Sequence, residues 1–206
     1  TFVPSAAEIS QIAITHLETA DNAIVSFGQG CEGEPLLQAK VIEQAIERTR
    51  HKTSRGTINL NSNSSLPLSV KRLAQVGLDS LRVSLNSAQE KYYNPYYRPR
   101  NYTFSDVMKS IDVMKENSRF VSLNYFILPG FTDSVEEFAA LCDLIRTHHP
   151  DFIQLRNLNM DPEWYLRSIG IAEETETLGV RHWFNLLRQE FPSLRFGYFN
   201  PQVGTM

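Results

Sequence analysis

The chain has 206 residues, enough to bury a hydrophobic core within one domain. Its net charge of −3 provides no basic surface for nucleic acid, and no apolar run approaches the roughly 18 residues that a membrane helix needs. Two cysteines, Cys31 and Cys142, are too few for a disulfide framework or a three-cysteine metal site, and so few cysteines are typical of a cytoplasmic protein.

Predicted helices and strands alternate along the chain. A capping box formed by Ser5 and Glu8 starts a first helix, which we expect to end near Thr19. The predicted strands are 23–28, 57–61, 80–85, 120–128, 151–158 and 194–199. The later predicted helices are 35–50, 68–76, 104–116, 134–147 and 178–190, with a short helical piece around Trp164. The first strand is mostly apolar, and we expect it to be buried on both faces.

This alternation predicts an α/β fold with a parallel sheet and right-handed crossovers. Doubly wound sheets and closed or partial βα barrels both fit the pattern, and both bind ligands at the carboxyl ends of their strands. We expect five parallel strands in sequence order, with 194–199 as an edge strand of unpredicted direction. Four of five predicted strand ends carry hydroxyl, amide or carboxylate side chains; the five are 28–34, 61–64, 84–87, 128–133 and 156–161.

The stretch 24–37 reads as a strand, a glycine-rich turn and a helix that starts at Pro35. Glycines in such a turn allow backbone N–H groups to approach a ligand closely. The same pattern also fits an ordinary loop between a strand and a helix. Sequence order alone leaves both interpretations open.

The segment 91–100 combines tyrosines, prolines and basic residues. It is either a surface loop or a mobile flap beside a site, and Pro95 and Pro99 disfavour a helix in it. Arg98 and Arg100 suit an anionic substrate, so we expect this segment to form part of a substrate-binding face.

Arg156 interrupts an otherwise apolar predicted strand. We expect its side chain to point into the barrel, where a buried guanidinium needs an anionic partner. A carboxylate of a substrate or cofactor is one candidate partner, and Glu34 is another.

Four motifs at these strand ends resemble the radical S-adenosylmethionine (radical SAM) superfamily. Its GGEPLL-type motif is similar to GEPLL at 33–37, although Glu32 stands in place of the first glycine, and its Thr-Asn-Gly turn is similar to NSNS at 61–64. The fourth-strand pattern of the family resembles LDSLRVSLN at 78–86, with Asn86 in place of Asp, and its LPG-type turn resembles FILPGFTDS at 126–134. The resemblance spans roughly residues 5–160 and is nearest to molybdenum-cofactor cyclase and the glycyl-radical activating enzymes.

The resemblance implies a single truncated core domain over 1–206: a partial (β/α) barrel with outer helices that lacks the first strand of the family. The cofactors implied are S-adenosylmethionine and a [4Fe–4S] cluster. The three-cysteine CxxxCxxC loop that would hold the cluster is expected upstream of Thr1, so no metal ligand is assigned in this chain. The missing strand would leave the edge at 23–28 free for self-association.

The resemblance also implies roles for individual residues. Gly33 and Glu34 would meet the amino group of S-adenosylmethionine, and Ser62 and Ser84 its carboxylate. Glu34 could instead stabilise a helix N-terminus, while Ser62 and Asn63 could simply satisfy a turn. The other implied cofactor contacts are Asn63 in the same turn, Asn86 at the ribose, and Asn124, Leu128, Pro129 and Asn157 around adenine.

Two functions remain open on the sequence. The first is a radical SAM enzyme that abstracts hydrogen from a small-molecule or peptide substrate, with this chain by itself inactive. The second is a non-radical βα-barrel binding module or an aldolase-like protein. The lack of an inward lysine at any predicted strand end argues against Schiff-base chemistry.

Overall fold

The computed structural model describes residues 2–28, 33–171 and 176–203. The helices are α1 (Ala6–Thr19), α2 (Ala39–Lys52), α3 (Pro67–Gln75), α4 (Glu90–Tyr97), α5 (Phe104–Glu116), α6 (Val135–His148), α7 (Pro162–Ser168) and α8 (Val180–Glu190). A 3₁₀ helix, Pro35–Gln38, leads into α2. The strands are β1 (Ile24–Phe27), β2 (Thr57–Ser62), β3 (Ser80–Leu85), β4 (Phe120–Ile127), β5 (Phe152–Asn157) and β6 (Arg195–Gly197). No helix within the described ranges is both long and apolar enough to cross a bilayer.

The six strands form one all-parallel sheet in sequence order, β1-β2-β3-β4-β5-β6. Helices α1, α2, α3, α5 and α6 pack side by side along it, each against the next. The fold is therefore a partial β/α barrel, as predicted. The direction of the last strand, which sequence did not predict, is parallel.

Side chains alternate between the two faces of the strands. The outward face carries the apolar residues that pack beneath the helices: Ile58, Leu60, Leu81, Val83, Leu85, Val121, Leu123, Tyr125 and Ile153. The inward face carries polar residues at the alternate positions: Asn59, Asn61, Ser80, Arg82, Ser84, Ser122, Asn124, Gln154 and Arg156. Because successive strand residues point to opposite faces, one apolar core and one polar interior arise from the same strands.

The segment 198–203 crosses the polar interior after β6. The side-chain amide of Gln154 donates to the Tyr198 carbonyl. Further along, Asn200 Nδ2 donates to Asn61 Oδ1 at 3.3 Å, and the Val203 amide donates to Thr57 Oγ1 at 2.8 Å. These hydrogen bonds hold the segment 198–203 against β5 and β2.

Strand β1 differs from the prediction, since all four of its residues are half-buried rather than buried on both faces. It pairs with β2 on one side, and no other described strand pairs with it. An edge strand has fewer neighbours than a central one, which explains its exposure. Self-association through this edge stays a prediction.

The prediction that prolines disfavour a helix in 91–100 is wrong, because α4 occupies Glu90–Tyr97 with Pro95 inside it. Proline removes one helical hydrogen bond, at a cost of about 3 kcal/mol in a helix interior. Burial of aromatic rings offsets this cost: Tyr93 is fully buried, with its ring centroid 4.5 Å from that of Tyr97 and 5.1 Å from that of Phe104. The residue that follows the helix, Arg98, adopts a left-handed conformation.

Gly28 determines how closely the end of β1 approaches β2. Its φ is +75°, and a Cβ at this position would lie 2.2 Å from the backbone oxygen of Asn61. Gly33 also has a positive φ, of +86°, but a Cβ there would meet nothing within 4 Å.

We therefore expect Gly28→Ala to lower the free energy of unfolding by about 2–5 kcal/mol, through the positive φ and the backbone clash together. The matched variant Gly33→Ala should lose only the conformational term, about 1–2 kcal/mol. Urea denaturation of both variants measures the difference. Equal losses would contradict a close approach at Gly28.

Candidate active site

A cavity of about 690 Å³ opens at the carboxyl ends of the strands. Its walls come from the turn after β1 and from β2, β3, β4, β5 and α4. The structure brings these predicted site residues together in its lining: Gly33, Glu34, Ser62, Asn63, Ser84, Asn124, Arg156 and Asn157.

Glu34 clamps the turn after β1 onto the end of β2. Its carboxylate accepts hydrogen bonds from Ser62 Oγ at 2.6 Å, the Asn63 amide at 2.8 Å and the Leu36 amide at 3.0 Å. The last of these bonds caps the 3₁₀ helix, as the alternative reading of Glu34 expected. A carboxylate has about four acceptor positions, so Glu34 retains room for one further donor from a ligand.

The turn at Ser62 and Asn63 satisfies much of its own hydrogen bonding. Ser62 Oγ donates to Glu34 and accepts from the Ser64 amide at 2.8 Å, and Asn63 Oδ1 accepts from the Ser65 amide at 3.0 Å. The Ser62 proton is therefore engaged within the protein. This serine shapes the cavity wall and holds Glu34 in place.

Polar side chains in the carboxyl-terminal halves of β3, β4 and β5 are unpaired. Ser84, Asn124 and Asn157 line the cavity, and none has a side-chain hydrogen bond to another described residue. They provide hydroxyl and amide groups that can donate to a ligand or accept from it.

Three predicted cofactor residues lie outside the cavity lining. Asn86 is buried and donates its side-chain amide to the Tyr92 carbonyl and to the Tyr165 hydroxyl, both at 3.0 Å, so it joins α4 to α7 rather than facing the opening. Leu128 packs in a satellite apolar cluster with Tyr165, and Pro129 is exposed in the following turn.

Arg98 and Arg100 also lie outside the lining, exposed beyond the end of α4. The same segment reaches the cavity through Tyr96 and Tyr97 instead. Burial raises the pKa of both phenols, so they remain neutral hydrogen-bonding groups at ordinary pH. Helical geometry, which sequence analysis did not predict here, turns the tyrosines inward.

Arg82 and Gln154 are site residues that the sequence analysis missed. Arg82 Nη1 donates to Gln154 Oε1 at 2.9 Å across β4. Burial, together with the nearby charge of Arg156, lowers the pKa of Arg82 to about 10, which leaves it cationic at neutral pH. The alternation of side chains in SLRVSL at 80–85 could have predicted Arg82 as a site residue, because Arg82 shares its strand face with Ser84.

Arg156 faces the interior as predicted, but Glu34 is not its partner. Its guanidinium lies 4.9 Å from the ring centroid of Tyr198, a cation–π contact. The described hydrogen bonds of the Glu34 carboxylate go instead to the Leu36 amide and to Ser62 and Asn63 at the end of β2.

A buried carboxylate on α6 anchors the segment that leads into α4. Glu137 of α6 is fully buried and accepts from Ser87 Oγ at 2.8 Å, the Ala88 amide at 2.7 Å, Gln89 Nε2 at 2.7 Å and the Tyr125 hydroxyl. Burial raises the pKa of Glu137, while these donors lower it. The network fixes the segment between β3 and α4.

The described residues provide no ligand set for an iron–sulfur cluster. No three His, Cys, Asp or Glu side chains among them are grouped as a metal site requires. Cys142 is buried on α6 in the outer layer, where burial raises the pKa of its thiol to about 11. Cys31 lies outside the described residues.

Comparison with known proteins places this architecture in a family. The family model described as the radical SAM superfamily matches residues 4–142. No curated protein matches the chain.

Solved structures share the fold at low sequence identity. A domain of pyruvate-formate lyase-activating enzyme from Bacteroides vulgatus has 13% identity and a TM-score of 0.59, over 85% of this chain and 98% of that one. SuiB from Streptococcus suis bound to S-adenosylmethionine has 14% identity and a TM-score of 0.66, over 97% and 44%. A radical SAM methyltransferase from Sphaerobacter thermophilus has 19% identity and a TM-score of 0.59, over 95% and 57%. The chain thus spans about half the length of the last two.

The fold and site define a partial β/α barrel with a polar ligand cavity at the carboxyl ends of its strands. With the family model matching well over half of its residues, the chain belongs to the radical SAM superfamily of enzymes.

We expect Glu137→Gln to destabilise the protein by about 2–4 kcal/mol, because an NH₂ group would then face donors that now bind a carboxylate. Its exposed neighbour provides the control: Glu136→Gln removes only the Lys91 ion pair and should change stability by less than about 1 kcal/mol. Thermal unfolding measures both. A Glu137→Gln variant as stable as Glu136→Gln would show that the buried network does not hold α4.

Proposed function

We propose that the cavity binds S-adenosylmethionine, and that the whole protein uses this cofactor with a [4Fe–4S] cluster to abstract hydrogen from a substrate. The observation that supports the proposal most is the set of unpaired polar side chains on β3, β4 and β5 that share the cavity lining with Glu34. When bound to a reduced cluster, the cofactor would supply a 5′-deoxyadenosyl radical.

The lining suits the functional groups of S-adenosylmethionine. The remaining acceptor position of Glu34 fits the ammonium group, and the free hydroxyl of Ser84 fits the carboxylate. The amides of Asn124 and Asn157 fit the ring nitrogens and exocyclic amine of adenine. In this proposal, the chain binds and orients the cofactor while the cofactor carries out the difficult chemistry.

Aromatic residues would limit water on the side of α4. The Tyr96 ring packs edge-on against Tyr165 at 5.6 Å and lies 6.4 Å from Phe126, measured between centroids. A radical intermediate needs protection from side reactions, and excluding water is one way in which a closed site provides it.

The alternative of an aldolase-like protein has less support. The described lining of the cavity includes no lysine, so it presents no amine for a Schiff base.

The cofactor proposal predicts a binding result. Titration calorimetry with the purified chain should detect S-adenosylmethionine binding, and Ser84→Ala should weaken it three- to tenfold, as expected for a lost hydrogen bond worth about 0.5–1.5 kcal/mol. Ser122→Ala is the matched control, since Ser122 lies on the same sheet face but outside the cavity lining. Equal affinities for the two variants would contradict the assignment of Ser84.

We further propose that cluster ligands come from residues outside this chain, so that the 206-residue chain alone is inactive. Two cysteines, one of them buried as a thiol, are fewer than the three thiolates that the family uses. After anaerobic reconstitution, iron and sulfide analysis should find no stoichiometric cluster. Four irons per chain that disappear in Cys31→Ser would contradict this expectation.

A further inference from the structure

Two arginines face the same cavity from alternate strands. Arg82 projects from β3 and Arg156 from β5, with Asn124 of β4 between them, and all three line the cavity. The two guanidinium groups are close enough for the charge of Arg156 to lower the pKa of Arg82. A partly buried pair of like charges is unfavourable unless something neutralises it.

Nothing in the described parts of the chain neutralises this pair. Neither arginine forms an ion pair with a described carboxylate, and the Nε atoms of both are buried without a hydrogen-bond partner. Glu34, the described carboxylate in the lining, already accepts three hydrogen bonds at the opposite wall. The β3–β5 side of the cavity therefore carries an uncompensated positive charge.

The two side chains are also held in place. Gln154 accepts from Arg82 and donates to the Tyr198 carbonyl, while the Tyr198 ring packs against the guanidinium of Arg156. Stacking on an aromatic face leaves the N–H groups at the edge of a guanidinium free to bind. An arginine fork held in this way matches the geometry of a carboxylate or phosphate group.

We propose that Arg82 and Arg156 form a receptor for an anionic group of the substrate, a carboxylate or a phosphate. The assignment to a substrate rests on the proposed function, because it takes this cavity as the active site. It narrows the substrate to a molecule that carries such a group.

The cofactor carboxylate is a poorer occupant for this receptor. The amino and carboxylate groups of S-adenosylmethionine are attached to the same carbon, so an ammonium held at Glu34 keeps the carboxylate near β2 and β3. Arg156 lies on β5, three strand spacings from β2, or roughly 14 Å along the sheet. A carboxylate held at Ser84 lies nearer to Arg82 than to Arg156, so a second anion matches the pair of arginines better.

Calorimetric titration of the purified chain with inorganic phosphate and with succinate, at constant ionic strength set by chloride, tests the receptor. We expect saturable binding of at least one probe, and the tighter probe distinguishes a phosphate from a carboxylate receptor. Arg82→Gln and Arg156→Gln should each weaken that binding at least tenfold. Lysine at either position should recover part of it, because charge returns without the fork. Arg181→Gln removes the same charge from the exposed surface of α8 and should change nothing.

Thermal unfolding and cofactor titration of the same variants separate the explanations. Without added anion, Arg156→Gln should unfold at the same or a higher temperature than the unsubstituted chain, because a repulsive pair has been removed. The affinity of this variant for S-adenosylmethionine should stay within threefold of that of the unsubstituted chain.

Anion binding that is unaffected by either substitution would overturn the proposal that the arginines form a receptor. Parallel loss of anion and S-adenosylmethionine binding would overturn the substrate assignment. Failure of the proposed function gives a different result: the unsubstituted chain binds no S-adenosylmethionine but still binds the anion through both arginines.

Discussion

The alternation of side chains along parallel strands is the constraint on which this structure depends. Helices cover one face, and that face supplies a continuous apolar core. The other face points into a partial barrel, where serine, asparagine, glutamine and arginine replace aliphatic residues. Because a strand residue can point only one way or the other, the stable core and the polar interior are built by the same short sequences.

Electrostatics divides the interior into two sides. At the β1–β2 side, the carboxylate of Glu34 accepts three donors and holds the turn against β2. At the β3–β5 side, Arg82 and Arg156 have no carboxylate partner among the described residues. The ammonium group of the proposed cofactor and an anionic group of the substrate would each meet an opposite charge within one cavity, the first at Glu34 and the second at the arginine pair.

Helix α4 shows how tertiary contacts override a local preference. The residues before Pro95 and Pro99 favour extended backbone, yet Glu90–Tyr97 is helical. Burial of Tyr93 among aromatic rings and anchoring of the preceding segment by Glu137 make up for the lost hydrogen bond. The consequence for the site is direct, because helical geometry brings Tyr96 and Tyr97 to the cavity and leaves Arg98 and Arg100 outside.

Periodicity along the sequence predicted the parallel sheet and the helices other than α4, since periodicity is a local property of a chain. The resemblance of the strand-end motifs indicated the family and the cavity residues Glu34, Ser62, Ser84 and Asn124. Tertiary structure decided the rest. Whether Asn86 faces a ligand or a tyrosine hydroxyl depends on α7, seventy-nine residues away. The pairing of Arg82 with Gln154, which lies seventy-two residues further along, likewise depends on strands brought together only by folding. Contacts between residues so far apart in the chain produce no periodic pattern in the sequence, because they form only when folding brings the two elements together.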